Sequence, residues 1–382
     1  MNCIEDGWMR KVGIMSMQRI ANYGSFLQAY ALKQLIEEVG CNVEFVDYHV
    51  GAPVITENAD SKNKVVRKIE KGMETFRYRA PLAHKLSFIR YKQSFAQKYM
   101  PLLGITDEMN YNPTVDCLVI GSDEVFNCIQ KNSNVGYSLE LFGKNNHAKK
   151  LITYAASFGN TTLEKLEKHK KANEVGALLK KFDALSVRDA NSGTIVERLT
   201  GKDPVYNLDP VLTYDYMNCC DKIPRVQTNE KYLILYAYAG RISNEEAEWI
   251  SDYAKKKKLK VYAIGGIQKC ADRFVDCSPF EVLAYFRNAE EVITDTFHGS
   301  IFSVVTHRPF TTLIRKSVGN SYGNEEKLSD LLERLELANR MTTKIEDAEN
   351  INETAIDYAK VDERLKAHRE VAKEYLRSNL EG

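Results

Sequence analysis

A histidine at the start of a predicted helix is a candidate catalytic residue of this sequence. His298 stands in TDTFHGS, residues 294–300, between the apolar run EEVI and the helical run IFSVVTH. Histidine exchanges protons near neutral pH, and a helix N-terminus favours an anion. Asp295 could orient one ring nitrogen or could serve only as the helix cap, and Gly299 permits close approach. We therefore predict a catalytic or anion-binding role for His298, with Asp295 beside it.

Two more polar sites follow predicted strands. Arg188 in LSVRD could hold a carboxylate or phosphate in its guanidinium fork, or could form a structural salt bridge with a neighbouring aspartate. The loop QRIANYGSFLQ is typical of an anion-receiving strand-to-helix turn. In it Asn22 and Gly24 permit unusual backbone angles, and Ser25 is the expected helix N-cap.

These residues need strands and helices to position them, and the periodicity supplies both. KVGIMSM, a polar break, FLQAYALKQLIEEVG and NVEFVDY predict strand, loop, helix and strand, with Gly40 after the helix end. Apolar strands then alternate with amphipathic helices, which predicts parallel sheets covered on both faces. The pattern lapses near residues 218–230 and then resumes. We therefore predict an α/β protein with an N-terminal domain over 1–217, including a basic helical insertion at about 60–100, and a C-terminal domain over 230–345.

Polar residues recur where the predicted strands end. In open parallel sheets the carboxyl ends of the strands form the ligand crevice, so these residues should converge. Those at candidate binding positions are Gly121, Ser122, Asp123, Ser157, Arg315 and Lys316.

Composition narrows the class of protein. The chain has 382 residues, 44% of them hydrophobic and 27% charged, and a net charge of +1, which gives no overall attraction to nucleic acid. Its 8 cysteines form no C-x-x-C pair, and no metal-ligand cluster, G-x-G-x-x-G or P-loop motif occurs, so we expect no metal and no cofactor. Without a long apolar run or an export pattern, the expected location is the cytoplasm.

The segment from Asp60 to Tyr99 departs from this neutral balance. It carries eleven Lys or Arg and three acids, a local net charge of 11 − 3 = +8. Such a run either faces water or forms an electropositive surface for an anionic substrate or for the inner face of a membrane, where the protein would be peripheral.

The order and spacing of several motifs resemble the polysaccharide pyruvyl transferase family, from KVGIMSM to about Leu337. The resemblance rests above all on ITDTFHGSIFS followed by RPF. It is supported by NYGSFLQAYAL, FVDY, DCLVIGSDEVFN, YAASFG, LSVRD and LDPVL.

The resemblance implies a fold similar to GT-B glycosyltransferases, with two Rossmann-like domains facing each other across a cleft. It also implies that the helices of 346–382 pack back on the first domain. Family members move a pyruvyl unit from phosphoenolpyruvate onto a sugar as a ketal. Phosphoenolpyruvate would then be a donor substrate, and the acceptor a nucleotide- or lipid-linked saccharide used in surface polysaccharide biosynthesis.

The motifs also carry site residues over. His298 resembles the catalytic or donor-contacting histidine of the family and Arg188 its strand-end arginine, and a basic residue about twenty positions after the histidine is expected among Arg315, Lys316 and Lys327. The family would have tryptophan where this chain has Phe126. The remaining motif positions expected at the substrate are Tyr23, Gln28 and Ser300.

Two other functions fit the same pattern. A glycosyltransferase of the same fold would use a nucleotide sugar as donor, and a non-catalytic carbohydrate module would release no phosphate. The many polar residues at strand ends argue against the second.

Overall fold

Two parallel sheets form the framework of the protein. The computed structural model describes residues 9–52, 75–130, 135–315 and 325–381. Within these residues each sheet has six strands. The first contains β1 (Lys11–Met15), β2 (Asn42–Phe45), β3 (Cys117–Asp123), β4 (Lys150–Ala156), β5 (Ser186–Val187) and β6 (Val205–Tyr206). The second contains β7 (Tyr232–Tyr236), β8 (Lys260–Ile264), β9 (Arg273–Phe274), β10 (Glu291–Thr294), β11 (Phe310–Leu313) and β12 (Met341–Thr342).

Helices connect the strands and cover the sheets. The longer ones are α1 (Tyr23–Glu38), α2 (Leu82–Tyr99), α5 (Ala190–Thr200), α8 (Asn244–Lys257), α9 (Pro279–Asn288), α10 (Phe297–Val305), α11 (Glu325–Arg334) and α13 (Tyr358–Leu380). The shorter ones are α3 (Leu163–Lys168), α4 (Ala172–Leu179), α6 (Pro210–Thr213), α7 (Tyr216–Cys219) and α12 (Ala348–Glu353). Among the described residues, no helix has the length and apolar character needed to cross a membrane.

The strand order fixes where a ligand can bind. The sheets run β2-β1-β3-β4-β5-β6 and β12-β11-β10-β7-β8-β9, and all neighbouring strands are parallel. The chain therefore reverses direction across the sheet between β1 and β3, and again between β7 and β10. Ligands of such sheets bind at these switch points, beyond the carboxyl ends of the strands. The loops after β1, β3, β7 and β10 are thus the ones placed to build a site.

The main elements confirm the predicted α/β architecture. Helix α1 ends at Glu38, and Gly40 follows with φ +81°, a left-handed angle that suits glycine. The stretch 161–182 forms two helices, α3 and α4, rather than one, because Lys170 between them adopts φ +55°. Strands β9 and β12 were not predicted, since two residues are too few to show an alternating pattern.

Aromatic packing joins the two halves of the molecule. The Tyr23 hydroxyl donates to the carbonyl of Cys277 at 2.9 Å, and the rings of Phe26 and Phe280 meet edge to face with centroids 5.8 Å apart. Helix α13 crosses back to the first sheet, where the Tyr375 hydroxyl donates to the Thr153 carbonyl at 2.7 Å. The cleft between the sheets therefore has a packed base.

Candidate active site

A cleft of about 290 Å³ lies between the two sheets. Both halves of the chain line it, and the lining comes largely from the four loops at the switch points. The polar and aromatic residues along the cleft are Asn22, Ser25, Lys92, Asp123, Glu124, Gln130, Arg188, Tyr238, Arg241, Asp295, Thr296, Phe297, His298 and Lys327.

His298 lies in the first turn of α10, as the sequence predicts. The N-cap of this helix is Thr296 and not Asp295: the Thr296 hydroxyl accepts the backbone N–H of Gly299 at 2.9 Å. The His298 ring is nearly buried, and its Nε2 lies 3.6 Å from Oδ2 of Asp209. That distance is longer than a hydrogen bond, and Nε2 has no hydrogen-bond partner within the described part of the chain. A small shift of the ring would form the His298–Asp209 bond.

Gly24 leaves the space that the imidazole ring of His298 occupies. A Cβ at this position would lie 2.2 Å from both Cγ and Nδ1 of His298, so any side chain larger than hydrogen would displace the ring. Asn22, and not Ser25, is the N-cap of α1, because its side chain accepts the N–H groups of Gly24 and Ser25 at 2.8 and 3.2 Å. The NYGS turn therefore brings the backbone of α1 against His298, which belongs to the second half of the chain.

Arg188 connects two aspartates beneath the histidine. Its Nη1 lies 3.0 Å from Oδ2 of Asp209, and its Nη2 lies 3.2 Å from Oδ1 of Asp123. The guanidinium also lies 4.3 Å from the centre of the Phe297 ring. Burial opposes the charge on Arg188, but Asp123 and Asp209 outweigh it and raise the pKa of the guanidinium. Arg188 thus forms structural salt bridges, which was one of the two roles that the sequence allowed for it.

Asp209 is the carboxylate that contacts both Arg188 and His298. Its side chain is fully buried, and its Oδ1 accepts the N–H of Val211 at 3.0 Å. Burial alone would raise the pKa of Asp209, but His298, Arg188 and this N–H lower it below its ordinary value. A buried carboxylate that stays ionised can stabilise a positive charge on the neighbouring imidazole.

Asp295 occupies a separate charged cluster. Its Oδ2 lies 3.8 Å from Nη1 of Arg241 and 3.8 Å from Nε of Arg315, and Arg315 also pairs with Glu246 at 2.6 Å. Burial of Asp295 exceeds the effect of the two arginines and raises the pKa of its carboxyl to about 6. Asp295 therefore lies in the cleft with His298, but its charged neighbours are the two arginines.

This raised pKa predicts a pH-dependent stability. The folded state binds more protons than the unfolded chain between about pH 4 and pH 6, so the free energy of unfolding falls as the pH rises through this window. In Asp295→Asn, the free energy of unfolding should fall by roughly 3 kcal/mol less over this pH range than in the wild type. Urea unfolding at pH 4 to 7 measures it, with the exposed Asp252→Asn as the control. Parallel curves for wild type and Asp295→Asn would contradict this assignment.

The cleft also contains residues that were not predicted as site residues, among them Tyr238, Arg241 and Lys92. Tyr238 and Arg241 follow β7, with the Arg241 guanidinium 4.8 Å from the centre of the Tyr238 ring and the Tyr238 hydroxyl 3.3 Å from Nδ2 of Asn22. Lys92 on α2 donates to the Ala21 carbonyl at 2.9 Å. Lys92 is exposed at the cleft, and desolvation by the surrounding protein lowers the pKa of its ammonium group to about 8. No carboxylate lies within 4 Å of this group among the described residues.

Several predicted site residues stabilise the structure around the cleft through contacts within the protein. Ser157 donates to Asp189 at 2.5 Å, Ser122 to the Ala155 carbonyl at 3.0 Å, and Ser300 bonds Thr312 at 2.8 Å. Gln28 lies 3.5 Å from Ser16, and Tyr23 lies in the aromatic base. Gly121 lies within β3 with φ +126° and Gly299 packs on Thr294.

The basic residues expected after His298 do not lie together. Lys327 lines the cleft and pairs with Glu124 at 3.0 Å, whereas Arg315 lies behind Asp295. Lys316 lies outside the described residues, as does the part of the basic insertion before residue 75. Phe126 is fully buried and stacks on Phe142 with centroids 4.6 Å apart, so its ring packs in the core of the first half.

The part of the chain that the structure describes contains no group of three or more His, Cys, Asp or Glu residues arranged to hold a metal ion. What the site does contain is an imidazole over a buried carboxylate and cations from both halves. Such a site can donate a proton and bind an anion.

Comparison with known proteins gives the family of the chain. The family model described as polysaccharide pyruvyl transferase matches residues 22–317, which is most of the chain. No curated protein matches the sequence.

One solved structure shows the fold class of this chain. A UDP-N-acetylglucosamine 2-epimerase superposes with a TM-score of 0.50 at 8% identity, covering 97% of this chain and 96% of its own. MnaA of S. aureus bound to UDP gives 0.47 at 11% identity, covering 95% and 91%. The O-GlcNAc transferase of Thermobaculum terrenum gives 0.43 at 12% identity, covering 98% of this chain but 66% of that one. The first likeness shows the GT-B-like fold, two Rossmann-like domains across a cleft.

Proposed function

Because this chain belongs to the polysaccharide pyruvyl transferase family, we propose that it transfers the pyruvyl group of phosphoenolpyruvate to a saccharide as a cyclic ketal. The observation that carries the proposal is His298 at the cleft floor, 3.6 Å from the buried carboxylate of Asp209, with cations of both halves around it.

The reaction needs one proton and a place for negative charge. Protonation of the methylene carbon of the enol phosphate gives a methyl group and a cation at the adjacent carbon. One saccharide hydroxyl adds there and its proton restores the acid, and a second hydroxyl displaces the phosphate, which leaves with the proton of that hydroxyl as hydrogen phosphate. No oxidation occurs, so an acid and a set of anion-binding groups suffice.

His298 is the group we assign to the proton transfer. Its nearly buried Nε2 lies 3.6 Å from the Asp209 carboxylate, which would stabilise the positive charge of an imidazolium. Arg188 pairs with the same Asp209 oxygen, Oδ2, at 3.0 Å and helps to hold it in place. The dyad therefore depends on residues from both halves of the chain, which keeps its geometry tied to the cleft.

Lys92 and Arg241 are suited to the donor's carboxylate and phosphate. Lys92 has a backbone carbonyl as its near partner, and Arg241 lies 3.8 Å from Asp295, beyond hydrogen-bond distance. An incoming anion can bind both without first breaking a close ion pair. Arg188, in contrast, already uses both Nη atoms.

The acceptor in this proposal is a nucleotide- or lipid-linked saccharide of surface polysaccharide synthesis. Tyr238 offers an exposed aromatic ring at the cleft on which a sugar ring could stack. Tyr238 contacts Asn22 and Arg241, so a sugar stacked on this ring would lie next to the cations that we assign to the donor.

Product analysis tests the proposal. We expect phosphoenolpyruvate and a mixture of nucleotide- and lipid-diphosphate-linked saccharides to give inorganic phosphate in a one-to-one ratio with a pyruvyl ketal. Phosphate should not appear without saccharide. Release of a nucleoside diphosphate without consumption of phosphoenolpyruvate would contradict the proposal and indicate a glycosyltransferase.

A further inference from the structure

Helix α2 carries apolar side chains on two opposite faces. Phe88, Tyr91 and Phe95 form its buried face and pack in the core. Leu82 and Leu86 nevertheless remain 63% and 52% exposed. A helix packed on one side ordinarily turns polar residues outward, so the second apolar face needs an explanation.

Helical geometry places the exposed leucines together. At about 100° per residue, Leu82 and Leu86 lie within about 40° of each other, and the buried aromatic residues lie on the other side of the axis. Phe76, 50% exposed, precedes this helix, and Lys85 of α2 donates to its carbonyl at 2.9 Å. We call Phe76, Leu82 and Leu86 the apolar ridge.

The sequence that contains this ridge is basic. Between residues 75 and 99 the sequence has six Lys or Arg and no Asp or Glu, a local charge of +6 in a chain of net charge +1. Around the helix, Lys85 and Arg90 fall on either side of the two leucines. Exposed Arg77 and Arg79 lie beside Phe76 in sequence.

We propose that the apolar ridge and its flanking cations dock the protein on an anionic lipid bilayer. An interfacial helix combines leucine and phenylalanine on one face with lysine and arginine along its edges, so that the apolar groups enter the acyl boundary while the cations meet the headgroups. The absence of carboxylates across 75–99 suits a uniformly negative surface better than a protein partner, whose surface mixes both signs.

The same segment reaches the cleft. Lys92 of α2 lines it, and a Cβ at Gly240, next to Arg241, would lie 2.7 Å from Cε1 of Tyr78. Docking through the ridge would therefore hold one side of the cleft near the bilayer. Where the proposed function holds, this arrangement favours a lipid-linked over a nucleotide-linked acceptor; binding to the bilayer itself does not depend on it.

Vesicle binding of the full-length chain tests the proposal. We expect binding to phosphatidylglycerol vesicles that weakens as salt rises, and none to phosphatidylcholine vesicles. Leu82→Ser with Leu86→Ser should weaken binding about tenfold or more, and Arg79→Gln with Arg90→Gln should do so by a similar factor. Both pairs lie on the surface, so the fold should persist.

Two controls match these variants. Val371→Ser removes an apolar side chain that is 46% exposed on α13, and Lys255→Gln removes an exposed cation of α8. Neither should change binding. The proposal is overturned if wild type ignores anionic vesicles, if the ridge variants bind like wild type, or if the ridge instead mediates self-association that Leu82→Ser with Leu86→Ser abolishes. Each readout is independent of transfer activity.

Discussion

His298→Ala should lower pyruvyl transfer by about 10² to 10⁴-fold, the range that general acid catalysis contributes. The ring lies 3.6 Å from Asp209 and faces the cleft, and no other histidine lines it among the described residues. The fold should persist, because the ring packs against Gly24 without a hydrogen bond from Nε2 to the described part of the chain. Initial rates of phosphate release measure the loss.

His307→Ala is the matched control. His307 follows α10, lies at the surface and pairs with Asp362 at 2.9 Å, away from the residues that line the cleft. It should retain the wild-type rate. Retained turnover in a folded His298→Ala protein would remove the histidine from the mechanism.

Arg188→Met should give the largest loss of stability, roughly 3–5 kcal/mol in the free energy of unfolding. The substitution leaves Asp209, which is fully buried, and Asp123 without their shared cation. Activity should fall as well, because Asp209 then loses the contact that holds it beside His298. Denaturant unfolding measures the first effect and phosphate release the second.

Two variants separate these effects from general damage. Arg198→Met, at an exposed position in the last turn of α5, should leave both stability and rate near wild type. Arg188→Lys keeps the charge but loses the fork that bonds two carboxylates, so it should fold and still be slow. An Arg188→Met protein as stable as wild type would show that the two aspartates do not depend on this cation.

The sequence predicted the architecture because its signals are local. Apolar strands, the cap region of α1 and Gly40 each report a nearby backbone state, and polar residues at strand ends follow from parallel topology. His298 and Asp123 could thus be placed at the cleft before any coordinates. The two-residue strands β9 and β12 carry too few residues for such a signal.

Contacts between segments distant in the chain could not be predicted from the sequence. Asp209 stands in the motif LDPVL, but its approach to His298 depends on how the halves meet. Lys92 appeared as one of many cations in a basic run, and Arg241 had no motif. Asp295 was paired with His298 on spacing alone, whereas the segments after β7 and β11 bring Arg241 and Arg315 to it. Sequence proximity does not determine which charges share a buried site.

The most direct test of phosphoenolpyruvate as donor is thermal unfolding with phosphoenolpyruvate, UDP-sugars and GDP-sugars, each titrated separately on wild type and His298→Ala. A ligand at about a hundred times its dissociation constant adds roughly 2.7 kcal/mol to the free energy of unfolding. We predict that phosphoenolpyruvate raises the midpoint of the wild type and does so less for the variant. Stabilisation by a nucleotide sugar alone would contradict the assignment of phosphoenolpyruvate as donor.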